Sequence, residues 1–413
     1  GPTIFVGRKA ELNRLDAWLS DTQADPRLLI TSKAGRGKSA LLVQWTRLLA
    51  ERRRSERSTS WAVVFIPISI RFETSDPKIY FRLLALKLAE VVGVSVTAPA
   101  ENPAMYYADQ TRILLQRISD AEIRVLILLD GLDESVDQDS LLTLLPSRQS
   151  STLRLVVTAR EIVGDRDQSG WLARLGWPHL HSLRLYHFEL EGLTPKEIGD
   201  ALLRMGAPIE PISRDIDLVR QLANLTEGEP LLLRLYFEDL WRKASAGAAV
   251  TVSDLHALNP GFSAYLNRWL ELQERQWRDA ALPIDLKTID VLLSILAVAK
   301  SPIYGADLLA IFRELHPGLG ALTTSQSLLA PLRRFVIGDG VHFPYVFNHP
   351  KLAEYIRYQR CTELISDVER EIVSWGLRHA DLLNDGTIQV QDASRYVVQF
   401  LGYHLLDSDS TAA

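Results

Sequence analysis

The sequence predicts an α/β domain built on a mostly parallel sheet, followed by a small helical domain and a winged helix. Three observations carry that expectation. The first 190 residues alternate short apolar runs with longer amphipathic stretches, the pattern of strands that cross to helices and return. After Glu191 the strand pattern nearly vanishes. Between residues 283 and 350, three helical segments lead into a short hairpin, the outline of a winged helix. The predicted domains are therefore 1–190, 191–282 and 283–350, with a helical C-terminal segment over 351–413.

Each element has its own signal. The strand candidates are Arg27–Ser32, Trp61–Ile66, Val125–Asp130, Leu153–Thr158 and Leu183–Glu189. Runs without polar alternation, such as Val-Leu-Ile-Leu-Leu, suit a sheet covered on both faces. Helical patterns fall at Lys38–Glu51, Pro77–Val92, Tyr106–Ser119 and Ser140–Leu145. Thr194-Pro195-Lys196-Glu197 reads as a helix start, with Thr as N-cap, Pro at the first helical position and Glu at the third. Helices are expected to continue through Asp215–Leu225, Pro230–Ala244 and Ala264–Arg278, and Ala281–Asp285 looks like a boundary. The winged-helix segments are Leu286–Ala299, Ala306–Leu315 and Ser325–Phe335. Gly338-Asp339-Gly340 then forms a hairpin turn before Val341–Phe347.

Composition narrows the class. Of 413 residues, 47% are hydrophobic and 23% charged, which argues against a largely disordered chain. No apolar run approaches the roughly 18 residues that cross a bilayer, and no leader pattern is visible. Cys361 is the one cysteine, which excludes an internal disulfide and a cysteine-rich zinc site. A reducing, cytoplasmic location without membrane partners is the expectation. A net charge of −5 makes nucleic acid an unexpected partner. The basic run Arg52-Arg53-Arg54 to Arg57 reads as the solvated end of a helix, where cations suit the dipole. Gly1-Pro2 reads as a cleavage scar on a fragment of something longer.

The sharpest motif is Ser32-Lys33-Ala34-Gly35-Arg36-Gly37-Lys38-Ser39, which follows an apolar strand and opens a helix. Glycines let backbone N–H groups converge on phosphate oxygens, and the helix N-terminus adds positive potential. Lys38 reaches the β- and γ-phosphates, and the Ser39 hydroxyl can ligand Mg²⁺. Gly35, Arg36, Gly37, Lys38, Ser39 and Ala40 are thus the candidate nucleotide-binding stretch. Ser32 stands where such loops usually carry a first glycine, and it would be strained if that position demanded a positive φ. Gly-Lys-Ser/Thr alone arises by chance in roughly one chain in five of this length. A second element strengthens it: Asp130-Gly131-Leu132-Asp133-Glu134 at the end of an apolar strand. Asp130 can hold the Mg²⁺ shell, and Asp133 or Glu134 can orient or deprotonate a water. Thr158-Ala159-Arg160 ends a third strand, where open α/β sheets bind ligands, so Arg160 can sense a γ-phosphate.

Taken in order, these residues resemble a family. Phe5-Val6-Gly7-Arg8 with Glu11-Leu12 resembles the signature that precedes the P-loop in signal-transduction ATPases with numerous domains, the STAND class of AAA+-related NTPases. The Asp-Gly-Leu-Asp-Glu run is similar to the magnesium motif of the NACHT branch. Gly228-Glu229-Pro230 resembles the Gly-x-Pro motif, and Phe347-Asn348-His349-Pro350 falls where such proteins carry a winged-helix histidine. The resemblance implies that Val6 and Arg8 lie at the adenine end and that Pro230 and His349 are lid-side contacts to ADP. It also implies an ATP/ADP switch with Mg²⁺, closed with ADP and oligomerising on activation by an unknown ligand. Members of the class carry an effector domain on one side and a sensor on the other, so the chain is expected to be the core of a longer receptor, with Arg395–Leu406 beginning a superhelical array. Bacterial immune signalling is the family-level expectation, with weak or regulated ATP hydrolysis. Two alternatives are an AAA+ motor with continuous turnover and a nucleotide-regulated winged-helix transcription regulator. Ser325–Phe335 carries only Arg333 and Arg334 as cations, which favours a packing role over a base-reading one.

Overall fold

The computed structural model describes residues 5–55, 61–99, 103–136, 152–162, 169–177, 186–248, 251, 255, 258–278, 284–317 and 324–411. The expected helix Ser140–Leu145, the first residues of the strand expected over Leu183–Glu189, Arg57, and most of the boundary at Ala281–Asp285 lie outside them. Two units separate, residues 1–262 and 263–413. No helix among the described residues is long and apolar enough to cross a membrane.

Five parallel strands form the centre of the first unit: β1 (Arg27–Ser32), β2 (Ala62–Pro67), β3 (Val125–Asp130), β4 (Leu153–Arg160) and β5 (Tyr186–Glu189). Their spatial order is β2-β3-β4-β1-β5, so β4 lies between β1 and β3. Side chains alternate faces along a strand. Leu28, Ile30, Leu126, Leu128 and Val156 therefore pack on α1 (Lys9–Ser20) and α2 (Lys38–Ser55), around the fully buried Trp45. Their neighbours Leu29, Ile127, Leu129, Leu155 and Val157 pack on α3 (Pro77–Val92), α4 (Pro103–Asp120) and the short α5 (Ser169–Arg174). Both faces are covered, which explains the unbroken apolar run of β3 and the Leu28-Leu29-Ile30 centre of β1.

Beyond β5 this unit is helical. α6 (Pro195–Met205) begins with the expected capping box: Glu197 N–H donates to the Thr194 hydroxyl, and the Glu197 carboxylate accepts from Thr194. α7 (Ile216–Thr226) and α8 (Pro230–Ser245) follow. Arg52–Arg54 end α2 exposed, with Arg52 2.6 Å from Asp16, as a solvated helix terminus should. α1 is a helix that the sequence reading left unassigned.

The second unit opens with α9 (Phe262–Arg278) and continues into the winged helix: α10 (Leu286–Val298), α11 (Gly305–Leu315), α12 (Ser325–Leu329), and the pair β6 (Val336–Ile337) and β7 (Val346–Phe347). Ile303 adds an antiparallel bridge to Tyr345. Two expectations are corrected here. The third helix does not run to Phe335; it ends at Leu329 and tightens into a 3₁₀ turn over Ala330–Leu332, because Pro331 has no N–H to continue it. The returning strand does not begin at Val341, because Asp339 Oδ1 accepts from the N–H groups of Val341, His342 and Phe343 at 2.8–2.9 Å and keeps them in the loop. α13 (Pro350–Tyr355), a π turn (Ile356–Arg360), α14 (Thr362–Asn384) and α15 (Arg395–Thr411) complete the chain. Arg360 ties this bundle together, reaching Asp290 at 2.6 Å and Asn267 at 3.0 Å.

At the N-terminal end of β1, buried Asp25 accepts from Arg27 N–H at 2.9 Å and Nε at 3.0 Å, while the Arg27 guanidinium lies 5.2 Å from the Trp177 ring centre. Removing one partner of such a pair strands a buried charge. Asp25→Ala should therefore lower stability by about 3–5 kcal/mol in urea unfolding followed by tryptophan fluorescence.

Candidate functional site

Ser32 is the last residue of β1 and pairs in register with Arg160 of β4. It is not among the residues with positive φ, so the expected strain is absent; Gly35 and Gly37 adopt that region instead, at φ 85° and 92°. Lys38, at the start of α2, donates through Nζ to both the carbonyl and the hydroxyl of Ser32, each at 3.0 Å. The serine thus parks the lysine across the mouth of the loop. Burial holds the Lys38 pKa below its ordinary value, against the pull of Asp133. Ser39 and Ala40 are exposed in the first turn of α2.

The acidic turn lies on the same edge of the sheet. Asp130 ends β3 in register with Thr158, whose hydroxyl donates to Asp130 Oδ1 at 2.6 Å and accepts from Gly131 N–H at 2.9 Å. Burial raises the Asp130 pKa, and hydrogen bonds from Thr158 and Ser39 oppose it. Asp133 is fully engaged by Arg160: Oδ1 accepts its N–H at 2.9 Å and Oδ2 lies 2.7 Å from its Nε. Glu134 accepts from the Ser69 hydroxyl and Ile70 N–H, both at 3.1 Å, and is 3.4 Å from Arg160. Burial, with the charge of Asp133, pushes the Glu134 pKa up to about 6. The two acids are therefore distinct, one an anchor for Arg160 and the other a carboxyl poised near neutrality.

The early signature and the Gly-x-Pro segment also reach the loop. Val6 is half-buried, and Arg8 is buried, with its guanidinium donating to the Arg36 carbonyl at 3.0 Å, to the Glu191 carbonyl at 2.6 Å and to Glu11 at 2.9 Å. Arg36 donates to the Glu227 carbonyl at 2.7 Å, and Leu231 N–H donates to the Gly35 carbonyl at 3.4 Å. Pro230 opens α8, and buried Glu229 packs where a side chain on Gly35 would otherwise sit. His349 belongs to the second unit, where it caps α13 by accepting Lys351 N–H through Nδ1 at 3.1 Å. Sequence reasoning missed Ser69 and named Thr158 at its strand end without giving it a role of its own. Only the position of Thr158, two residues before Arg160 on a buried strand, could have signalled it.

Residues 11–160 match the model of the family described as Nephrocystin 3, N-terminal. That span carries the P-loop, the acidic turn and Arg160. The parallel sheet, with its loop between β1 and α2, has the fold of a P-loop NTPase. No curated protein matches the sequence. Among solved structures, a STAND protein with a tetratricopeptide repeat sensor from Pyrococcus horikoshii aligns at 17% identity and a TM-score of 0.44, covering 91% of this chain and 46% of that one. The chain thus spans about half the length of that protein. The ORC1 protein of Aeropyrum pernix, solved in complex with DNA, aligns at 16% identity and a TM-score of 0.42, covering 88% and 95%. Cdc6p of Pyrobaculum aerophilum aligns at 15% and 0.39, covering 90% and 95%.

The oxygen donors at this edge of the sheet fit Mg²⁺. Among the described residues there is no cluster of three metal-ligating side chains. A hydroxyl beside a carboxylate, Ser39 with Asp130, is what an ion that keeps water and phosphate ligands requires of its protein. Titration supplies a check on Glu134. Its folded pKa of about 6 lies above the ordinary 4.5, so the folded chain holds the extra proton between those values. Stability should fall by about 2 kcal/mol as pH rises through that window. Glu134→Gln should flatten this part of the profile, measured by urea unfolding at stepped pH.

Proposed function

We propose that the chain is an ATP- and ADP-binding switch with slow, regulated hydrolysis. The observation that supports it is the convergence of Lys38, Asp130, Glu134 and Arg160 at one edge of the parallel sheet. Gly35 and Gly37 shape the phosphate cradle, Lys38 leaves Ser32 for the phosphates, and Ser39 with Asp130 would hold Mg²⁺, which neutralises phosphate charge when bound. Glu134 is the general base. With a pKa of about 6 it is mostly ionised at neutral pH yet basic enough to take a proton from water. Asp133 orients Arg160, whose guanidinium lies between the two acids and can turn toward transferring phosphate.

In the finer reading the resting state retains ADP, activation brings oligomerisation, and effector and sensor domains flank this core in a receptor of bacterial immune signalling. His349 contributes to ADP retention, so His349→Ala should release ADP faster in a fluorescent-nucleotide chase. Lys38→Ala should abolish ADP and ATP binding by calorimetry; unchanged affinity would overturn the site. Glu134→Gln should keep ATP affinity and slow hydrolysis by about 100-fold or more. If Asp133→Asn alone slows turnover, the roles of the two acids are reversed. Steady turnover by the unmodified chain would instead favour a motor.

A further inference from the structure

The capping box of α6 does more than start a helix. Glu197 uses both carboxylate oxygens: Oε2 accepts the Thr194 N–H at 2.8 Å and hydroxyl at 2.9 Å, and Oε1 accepts Arg8 N–H at 3.0 Å from 189 residues away. Gly7 is compatible with this approach because it has no side chain; a Cβ there would run into Glu197 Oε1. One face of the same helix makes a second contact, Arg204 donating to the Phe5 carbonyl at 3.2 Å. Positions 197 and 204 are seven apart, two turns along one face of α6.

Arg8 sits at φ 61°, a conformation that costs a non-glycine residue about 1 kcal/mol or more unless its surroundings hold it. Its backbone is held by Glu197, and its guanidinium then reaches the P-loop carbonyl of Arg36. Burial works against the Glu197 charge, but the hydrogen bonds from Thr194 and Arg8 outweigh it and keep its pKa below the ordinary value. We infer that Glu197 is a positioning residue for nucleotide binding, stapling the Phe5–Arg8 segment to α6 so that Arg8 can brace the P-loop. This rests on the reading of that loop as a nucleotide site.

Two substitutions separate the staple from the cap. In Glu197→Gln the single amide oxygen serves the two Thr194 donors, since Gln also suits the third helical position, and the NH₂ group faces Arg8 N–H donor to donor. In Thr194→Ala the hydroxyl is lost while the carboxylate still meets Arg8. Glu197→Gln should weaken ADP binding about tenfold, measured by calorimetry, with the melting temperature of the nucleotide-free chain little changed. Thr194→Ala should lower that melting temperature and leave ADP affinity as it was. Wild-type affinity in Glu197→Gln, or parallel loss of affinity and stability in both variants, would overturn the inference while the nucleotide site stands. If the unsubstituted chain binds no ADP, or binds it equally with Lys38→Ala, the site reading itself fails and takes this inference with it.

Discussion

The placement of β4 between β1 and β3 is the constraint on which the site depends. Were β1 and β3 neighbours, Lys38 and Asp130 would face each other across a single strand gap, with no polar group between them. With β4 inserted, Thr158 pairs with Asp130 on one side and Arg160 with Ser32 on the other. Parallel register carries all three strand ends to one edge, and the loops that leave them inherit that alignment. The intervening strand also supplies what a buried carboxylate most needs, a hydroxyl donor at 2.6 Å. Chain topology, through the apolar faces that fix strand order, thereby sets the electrostatics of the acidic turn.

Those electrostatics divide the labour between adjacent acids. Asp133 and Glu134 occupy one 3₁₀ turn, so sequence proximity cannot tell them apart. Their partners can. Asp133 is held at both oxygens by Arg160, Oδ1 by its backbone N–H and Oδ2 by its guanidinium. Glu134 meets the weaker donors Ser69 and Ile70, and burial together with the neighbouring charge of Asp133 raises its pKa. Arg160 touches both, so its departure toward a bound anion would change the charge balance around Glu134 at the same moment.

What the sequence disclosed follows from the range of the interactions involved. β1, β3 and α3 were legible to the residue, because strands buried on both faces leave apolar runs and Pro77 with the cap Asp76 marks a helix start. Lys38, Ser39 and Asp130 stand out as candidates because their motifs are local. The error at α12 was avoidable: apolar spacing suggested a helix to Phe335, yet Pro331 forbade it. α1 offers no such start signal, because Arg8 stands at its N-cap and no side-chain hydrogen bond caps it. Ser69 and Glu197 were beyond reach in a different sense. Ser69 lies 65 residues from Glu134 and Glu197 lies 189 from Arg8, and nothing in either local sequence announces a partner at such distance. A capping glutamate looks the same whether its second oxygen faces water or a distant backbone.

The exposed turn of the P-loop shows why such distant contacts matter. A phosphate-binding loop must present several N–H groups at once, and ordering them costs backbone entropy of about 1–2 kcal/mol per residue. Here the Arg36 carbonyl is held by Arg8, its side chain by the Glu227 carbonyl, and the Gly35 carbonyl by Leu231 N–H. Each bond contributes only about 0.5–1.5 kcal/mol net. Three of them across two residues are comparable with the entropy of fixing those residues, so the loop is ordered by the fold instead of by the ligand. Binding energy from a nucleotide would then appear as affinity, not be spent on arranging its own site. The bracing residues come from segments on either side of the sheet-forming sequence, and a movement of α6 or α8 would slacken the loop without touching the phosphates.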